Sequence, residues 1–387
     1  MDGKKDLNLK CKLNILYKRY KNKKMKNKLT LICDGNWLLM SRFSVMSNGF
    51  NINNPDISKE MAQNELQNLM AKSINIVLNR FPVIDNIVLV TDGGSWRKQL
   101  PIPKQLQDTT YKGNREQTVE LDWKYIYGSL TNLSDKCKEL GITVANHSAI
   151  EGDDWVWYWS RRLNADGVST IIWSSDQDLK QLIQVDSKTG AFTAWYNDRN
   201  GIWFDESFEE KPMDDLDFFM QPIRVKSPVL ESLKQYSRST NFFIPDEIIM
   251  EKIICGDAGD NIKPVARVVL GSKTYKVSPK MWNDIKTVLS IKTLNDFFRC
   301  KNDIISNIIN IKKFNQNNPD DISEMFDYNI KLVWLHESVI PETIIMYMNQ
   351  LEYEVPDINY IKSNYKVMCK KDITVESIFE EIENVPF

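Results

Sequence analysis

Histidine is nearly absent from this chain of 387 residues, which contains only His147 and His336. So few imidazoles nearly exclude a His-ligated transition-metal centre, and they weaken the case for a Ser-His-Asp type of catalysis. The six cysteines form no CxxC pair, which indicates reduced thiols rather than a disulfide framework or a zinc site. Chemistry in this protein therefore falls to carboxylates, and carboxylates alone favour hard cations such as Mg²⁺ or Mn²⁺.

Long apolar runs are also missing. No stretch of roughly 18 apolar residues occurs, and no charged-then-apolar signal peptide is present, so we expect neither a membrane span nor secretion. A hydrophobic fraction of 42% and a charged fraction of 26% are typical of a globular protein, here expected in the cytoplasm. The length allows two domains.

The net charge is only −2, but the charges are unevenly distributed. Residues 1–28 hold 11 Lys and Arg against 2 Asp, whereas the rest of the chain holds 39 basic and 50 acidic residues, a balance of −11. A basic arm on an acidic body suits phosphate binding. The alternative interpretation is a flexible, solvated leader, or a chain that starts at Met25.

The first half of the sequence alternates between strand and helix patterns. Four β-branched runs, "KLTLIC", "DNIVLVT", "GITVANH" and "STIIWSS", are separated by helical patterns such as 58–80 and 130–140. This alternation predicts an α/β fold with a central, mostly parallel sheet and helices on both faces. Residues 95–123 are polar, basic and interrupted by Pro and Gly, which indicates a long excursion over the sheet.

The second half changes in character. Residues 205–243 are acidic, then basic, and contain three Pro, which indicates a linker or an insertion. Beyond them, residues 244–387 repeat apolar side chains at three- and four-residue spacing, so this part is predicted to be mostly helical.

Every predicted strand is followed by acid. In open α/β sheets ligands bind at the carboxyl ends of the strands, so these side chains should converge on one edge. Alone, each motif has an ordinary explanation as a turn, a surface loop or a helix start. Together, seven carboxylates in one cleft would repel each other, and one or two divalent cations would relieve that repulsion. The seven are Asp34, Asp92, Glu151, Asp153, Asp154, Asp176 and Asp178.

Two further acid features need interpretation. In "EGDDWVWYWS" the acids can begin a helix whose buried face is Trp155, Val156, Trp159 and Leu163. In "CGDAGDN" the second acid pair is three residues apart, which on a helical turn places both on one side; the alternative is a glycine-bounded helix end.

The motifs "CDGNW", "VTDGGSWR", "YKGNR", "EGDDW", "SSDQDLKQL" and "GDAGDN", in this order, resemble the flap endonuclease superfamily from about residue 29 to about residue 290. The sequence is most similar to the phage 5′ nucleases, T-even phage ribonuclease H among them. The resemblance implies a PIN-like (Rossmann-like) nuclease domain over 29–204, with an arch over 95–123. It also implies a helical DNA-binding domain over 244–387, with a helix–three-turn–helix-like element.

The resemblance implies a two-metal hydrolase that leaves 5′ phosphates, with two Mg²⁺ as cofactors and Mn²⁺ able to substitute. Ligands of the first ion would be Asp34, Asp92, Glu151 and Asp153, with Asp154 at a position where phage relatives add an acid. Ligands of the second ion would be Asp176, Asp178, Asp257 and Asp260.

The resemblance also implies contacts to nucleic acid. Lys112 and Arg115 would act at the scissile phosphate, Tyr111 would stack on a base, and Lys98 and Lys104 would steer the backbone. The Gly-rich hairpin usual in the superfamily is missing, so other cations are expected to contact phosphates instead. These are Lys263, Arg267, Lys273 and Lys276.

The leading hypothesis is a 5′-3′ exonuclease or flap endonuclease that removes RNA primers in DNA replication. It would act as a monomer on DNA or RNA–DNA hybrid with a free 5′ end. Alternatives are a PIN-type single-strand ribonuclease and a non-catalytic, structure-specific DNA-binding protein. The C-terminus, with Ile378, Phe379, Ile382 and Phe387 amid acids, suits docking on a sliding clamp or single-strand-binding protein, or forms an ordinary terminal helix.

Overall fold

The computed structural model describes residues 28–49, 59–106, 111–113, 123–208 and 228–369. Within these residues no helix is both long and apolar enough to cross a membrane. The strands of the described part are β1 (Leu29–Asp34), β2 (Ile84–Val90), β3 (Thr143–Ala145), β4 (Ser169–Trp173), β5 (Gln184–Val185), β6 (Phe192–Asn197), β7 (Gly201–Asp205), β8 (Thr240–Phe243), β9 (Arg267–Leu270) and β10 (Lys273–Lys276).

Helices alternate with the first strands and then dominate. They are α1 (Gly35–Gly49), α2 (Lys59–Arg80), α3 (Trp123–Glu139), α4 (Gly152–Ala165), α5 (Pro228–Tyr236), α6 (Pro245–Cys255), α7 (Pro279–Val288), α8 (Leu294–Arg299), α9 (Lys301–Asn310), α10 (Pro319–Val333), α11 (Glu342–Asn349) and α12 (Ile358–Ser363).

The main sheet has the strand order β3-β2-β1-β4-β6-β7-β8, and β5 pairs with β6. Strands β3, β2, β1, β4 and β6 run parallel, whereas β7 is antiparallel to β6. The predicted α/β fold with a mostly parallel sheet and a helical C-terminal part is therefore confirmed. The four predicted strands correspond to β1–β4, whereas strands β5–β8 were not predicted.

The parallel strands β1, β2, β3, β4 and β6 are buried, as parallel strands between helices must be. Leu29, Leu31 and Cys33 of β1 pack in one core with α1, α2 and α3. Ile32, between them, faces the opposite core with α4. This alternation follows from the two-residue period of a strand. Because both faces are covered, only the ends of the strands are open to a ligand.

Helices α6–α10 enclose a separate core, centred on Trp282, Phe297 and Phe326. The predicted helix–three-turn–helix-like region corresponds to α6 and α7. Between them lie a turn closed by the Asp257–Ile262 bridge and the antiparallel β9–β10 hairpin, which stands where the superfamily's Gly-rich segment is missing.

After α10 the chain returns to the α/β unit. Leu335, Ile340 and Ile344 join the core beside α4, and Ile361 of α12 joins the core beside α2. The Tyr353 hydroxyl lies 2.8 Å from the hydroxyl of Thr30 on β1. The domain boundaries stay predictions. The packing nevertheless places residues 335–369 on the α/β unit, and it places α5 and β8 inside the segment predicted as a linker.

Candidate functional site

The candidate site begins at the end of β1. Asp34 is the last residue of this strand. Its Oδ1 accepts a hydrogen bond from the Trp37 backbone N–H (3.0 Å), and its Oδ2 accepts one from the Ser174 hydroxyl after β4 (2.7 Å). Burial, helped by the nearby charges of Asp92 and Asp176, raises the pKa of Asp34 to about 6. The neighbouring strands thus bring like charges together, as the sequence predicted.

Asp92, after β2, is tied to both α1 and α4. Its backbone N–H donates to Asn36 Oδ1 (2.9 Å), and its Oδ1 accepts from the Gly152 N–H at the start of α4 (2.6 Å). A Cβ at Gly93, the next residue, would lie 1.8 Å from the His147 carbonyl oxygen. The "DGG" motif therefore contains glycine because the segment after β3 passes too close for a side chain.

Glu151 and Asp153 stand at the N-terminus of α4, where a helix dipole favours acids. Glu151 is buried, which by itself would raise its pKa, but Lys112 (2.6 Å) and Arg97 (2.9 Å) hold this pKa below its usual value. Burial and the charges of Asp176 and Asp92 raise the pKa of Asp153 well above its usual value. The predicted buried face of α4, from Trp155 to Leu163, is confirmed.

Asp154 lies apart from the other acids, on the core side of α4. Its carboxylate is fully buried and forms a bidentate pair with Arg97, with N–O distances of 2.8 and 2.9 Å. The Trp96 indole N–H donates to the same carboxylate (2.9 Å). Since these two neighbours occupy both oxygens, Asp154 holds Arg97, which in turn bonds to Glu151.

A second group of acids joins the α/β unit to the helical unit. Asp176 Oδ1 accepts from the Asp178 backbone N–H (2.8 Å). The ammonium group of Lys252, on α6, contacts the carboxylates of both Asp178 and Asp257. Burial and the charge of Asp176 raise the pKa of Asp178 to about 6. Burial also opposes ionisation of Asp257, but hydrogen bonding to Lys252 keeps its pKa below the usual value.

Lys112 connects Asp260 to this cluster. Its backbone N–H donates to the Asp260 carbonyl (2.9 Å), and its ammonium lies 3.9 Å from the Asp260 carboxylate. A φ of 57° at Lys112 turns the chain sharply there. Tyr111 is buried in the helical core, and its hydroxyl lies 3.4 Å from Asp260. Lys112 therefore lies between acids of both units, in contact with Glu151 as well.

The chemistry of these donors fits a hard cation, since carboxylate oxygens are the ligands such ions prefer. Within the described residues, no three acidic, His or Cys side chains stand close enough to hold an ion as they are oriented. Instead, the ammonium groups of Lys112 and Lys252 lie between the carboxylates. Burial first, and then the charges of neighbouring acids, raise the pKa values of Asp34, Asp153 and Asp178, so these carboxylates are costly to ionise without a further cation.

Eight of the nine predicted ligands thus belong to one cluster. The ninth, Asp154, is buried on the core side of α4 and pairs with Arg97. Lys98 and Lys104 are exposed, while Arg115 and the C-terminal residues after 369 lie outside the described part of the chain. Sequence reasoning missed Arg97 and Lys252. The "SWR" motif offered a signal for Arg97, and Lys252 lies five residues before Asp257, on the apolar α6.

Residues 28–211 match the model of the family described as the 5′-3′ exonuclease, N-terminal resolvase-like domain. The match spans 184 of the 387 residues, so the α/β part of this chain is similar to the N-terminal domain of that family.

Solved structures provide a second comparison. The bacteriophage T5 D15 flap endonuclease, in a pseudo-enzyme–product complex with DNA and metal ions, is 15% identical, with a TM-score of 0.50 over 87% of this chain and 100% of that chain. The T5 5′-exonuclease with bound zinc gives 15% identity and a TM-score of 0.49 over the same shares. The catalytic core of Rad2 with DNA substrate gives 13% and 0.35, over 93% of this chain and 94% of that chain. The first of these likenesses shows the fold. No curated protein sequence matches the chain.

Proposed function

We propose that this protein is a metal-dependent, structure-specific 5′ nuclease that hydrolyses phosphodiesters and leaves 5′ phosphates. The observation that carries the proposal is the carboxylate cluster, in which acids from the strand ends and from the helical unit meet around Lys112 and Lys252. A purely structural site gains nothing from such repulsion, since unpaired buried carboxylates cost free energy.

The proposed cofactors are two Mg²⁺, for which Mn²⁺ can substitute. Asp34, Asp92, Glu151 and Asp153 are the proposed ligands of one ion. Asp176, Asp178, Asp257 and Asp260 are the proposed ligands of the other. Bound cations would supply a water of lowered pKa and would offset charge on the phosphate. Asp154 enters the proposal through its pairing with Arg97, which orients Glu151.

Lys112 and Lys252 are paired with carboxylates that are also the proposed ligands of the Mg²⁺ ions. Lys112 would then pair with the scissile phosphate, together with Arg115, and would offset the charge that develops there. The same segment carries Lys98 and Lys104, which are exposed and suited to attract the nucleic-acid backbone.

The proposed substrates are DNA and RNA–DNA hybrid with a free 5′ end, such as 5′ flaps and RNA primers formed in phage-type DNA replication. A T5 flap endonuclease structure that contains DNA and metal ions supports this direction. We further propose that the protein acts as a monomer in the host cytoplasm, with a sliding clamp or single-strand-binding protein as partner of the residues after 369.

Asp176→Asn tests the proposal, because it removes a charge from the middle of the cluster without changing the size of the side chain. Cleavage of 5′-labelled nicked, gapped and flapped substrates with Mg²⁺ should fall by on the order of 10²–10³-fold. Binding to the flapped substrate in EDTA should be retained. Asp135→Asn, on the exposed face of α3, is the matched control and should cleave like the wild type.

The outcomes separate the hypotheses. Undiminished cleavage by Asp176→Asn would contradict the assignment of the site. A preference of the wild type for free RNA over flapped DNA and primer hybrid would favour a single-strand ribonuclease. Binding without cleavage in Mg²⁺ or Mn²⁺ would favour a non-catalytic DNA-binding protein.

A further inference from the structure

The β9–β10 hairpin projects from the helical unit. Val268 and Tyr275, which pair across the two strands, pack on the helical core. Towards the tip this support ends: Val269 is 66% exposed and Leu270 is 47% exposed. A Cβ built on Gly271, at the turn, would meet nothing within 4 Å. Adjacent apolar side chains at the tip of an exposed ribbon are unusual unless something covers them.

The segment around this hairpin is strongly basic. Residues 261–280 contain five Lys and Arg and no Asp or Glu, although the whole chain has slightly more acids than bases. Arg267 and Lys276 stand directly opposite each other in the ladder. Like charges in a cross-strand pair destabilise a hairpin, and a bound anion reverses that cost. The surface around the exposed tip therefore suits a polyanion.

The base of the hairpin is fixed beside the candidate site. Val265 N–H donates to the carbonyl of Ile254 on α6 (3.0 Å), just before the Asp257 turn. The Arg267 guanidinium approaches the carbonyl of Gln105, in the segment predicted as the arch (3.5 Å). A nucleic acid bound along the hairpin would thus pass close to the arch segment and to the turn that carries Asp257 and Asp260.

We propose that the hairpin is a groove-binding ribbon for duplex DNA: Arg267 and Lys276 hold phosphates, and the tip, with Val269 on the face of Arg267 and Leu270 on the opposite face, enters the minor groove and partly unstacks a base step. Two-stranded ribbons fit DNA grooves, and apolar side chains inserted at base steps kink the duplex. This inference rests on the proposed function for its substrate, and it adds the apolar tip as a contact to the duplex.

The experiment measures binding in EDTA, so that no cleavage is needed. The probe is a flapped DNA with a fluorescein label and 2-aminopurine in its duplex arm. Val269→Ser/Leu270→Ser should weaken binding by roughly tenfold, as expected when two aliphatic side chains that become partly buried against DNA are lost. The same variant should abolish the rise in 2-aminopurine fluorescence that accompanies unstacking of the base step. Val288→Ser is the matched control, since Val288 is 72% exposed at the end of α7 and should change neither quantity.

A second pair of variants tests the charges. Arg267→Gln/Lys276→Gln should weaken binding and should reduce the slope of log affinity against log salt by about 2, since two phosphate contacts are lost. Lys188→Gln, in the exposed turn before β6, should leave the slope unchanged. Urea unfolding of every variant checks that the hairpin changes do not unfold the helical unit.

Wild-type affinity and an unchanged 2-aminopurine signal in Val269→Ser/Leu270→Ser would overturn the inference, and would assign the tip to a partner other than duplex DNA. A different result would contradict the proposed function. If the wild-type protein bound this probe through the hairpin but cleaved no substrate with Mg²⁺, the nuclease assignment would be wrong, whereas the proposal for the hairpin would stand.

Discussion

At the scale of single residues, Arg97 positions Glu151 in the carboxylate cluster from the core side of α4. It is 2% exposed and joins Asp154 to Glu151, and its guanidinium carbon lies 4.5 Å from the Trp96 ring centroid. A buried guanidinium with two carboxylates is costly to break, because the partners that remain keep their charge inside the protein. Arg97 therefore fixes the side of Glu151 that faces away from Lys112.

Arg97→Leu should lower the free energy of unfolding by about 3–5 kcal/mol, because it leaves Asp154 and Glu151 without their buried partner. Urea denaturation measures the change. Lys98→Leu, at the exposed neighbouring position, should unfold close to the wild type. Arg97→Leu/Asp154→Leu should recover part of the loss. Equal stability of Arg97→Leu and Lys98→Leu would contradict this account of the buried pair.

The raised pKa values of Asp34 and Asp178, each about 6, give a pH dependence with a definite sign. Between about pH 4 and pH 6 the folded protein binds more protons at these groups than the unfolded chain does. In EDTA, their contribution to the free energy of unfolding should therefore fall as the pH rises through this window. Urea titrations at several pH values measure it, and Asp34→Asn should flatten the trend.

At the scale of elements, α12 packs on the α/β unit through the buried side chain of Ile361. Ile361→Ala should cost about 2–4 kcal/mol of unfolding free energy, because Ile361 is buried against α2 and its truncation leaves a cavity. Tyr360→Ala, at an exposed position of the same helix, should cost much less. Urea denaturation of both variants measures the difference. Similar losses would mean that α12 contributes helix propensity rather than packing.

The elements that could be predicted are those with a strong local signal. β1, β2 and β4 contain apolar runs rich in β-branched residues. β1 ends at an acid, and an acid follows β2 and β4 within three residues, so the strands and the place of these acids at the sheet edge could be predicted from the sequence. β6 and β7 were missed although "AWYNDRNGIWF" carries a hairpin signal of two apolar runs around a turn ending in Gly201. The parallel pairing of β8 with β7 depends on long-range contacts, which no local pattern encodes.

The same distinction applies to the candidate site. Strand-end acids were predictable because sheet geometry gathers them. The pairing of Asp154 with Arg97 was not, since a helix start presents Asp153 and Asp154 alike, and only the core decides which one is buried. Lys252 was hidden by its position in an apolar helix. Contacts made by tertiary packing were therefore the part that the residue pattern missed.

At the scale of the whole molecule, the distribution of charge bears on binding. Residues 1–24, which precede Met25 and lie outside the described part, hold nine Lys and Arg against two Asp. A chain that starts at Met25 should bind flapped DNA more weakly at low salt and with a shallower salt dependence, because fewer counterions are released. Fluorescence anisotropy across a salt series measures both. An unchanged slope would show that this segment does not contact the backbone.

The chain passes from the α/β unit to the helical unit before α6 and returns after α10. Both connections pack against one short helical turn, Gln177–Leu182. Phe243, before α6, lies with its ring centroid 5.5 Å from the Lys180 ammonium. At the other crossing the Gln181 amide bonds to Val333 and Leu335. In terms of chain topology, the helical unit is an insert whose two joints are neighbours, not an appendage at one end. Because both joints lie against the same turn, the chain leaves and re-enters the α/β unit at nearly one point, and the strands before the insert and the last helix after it pack in one body.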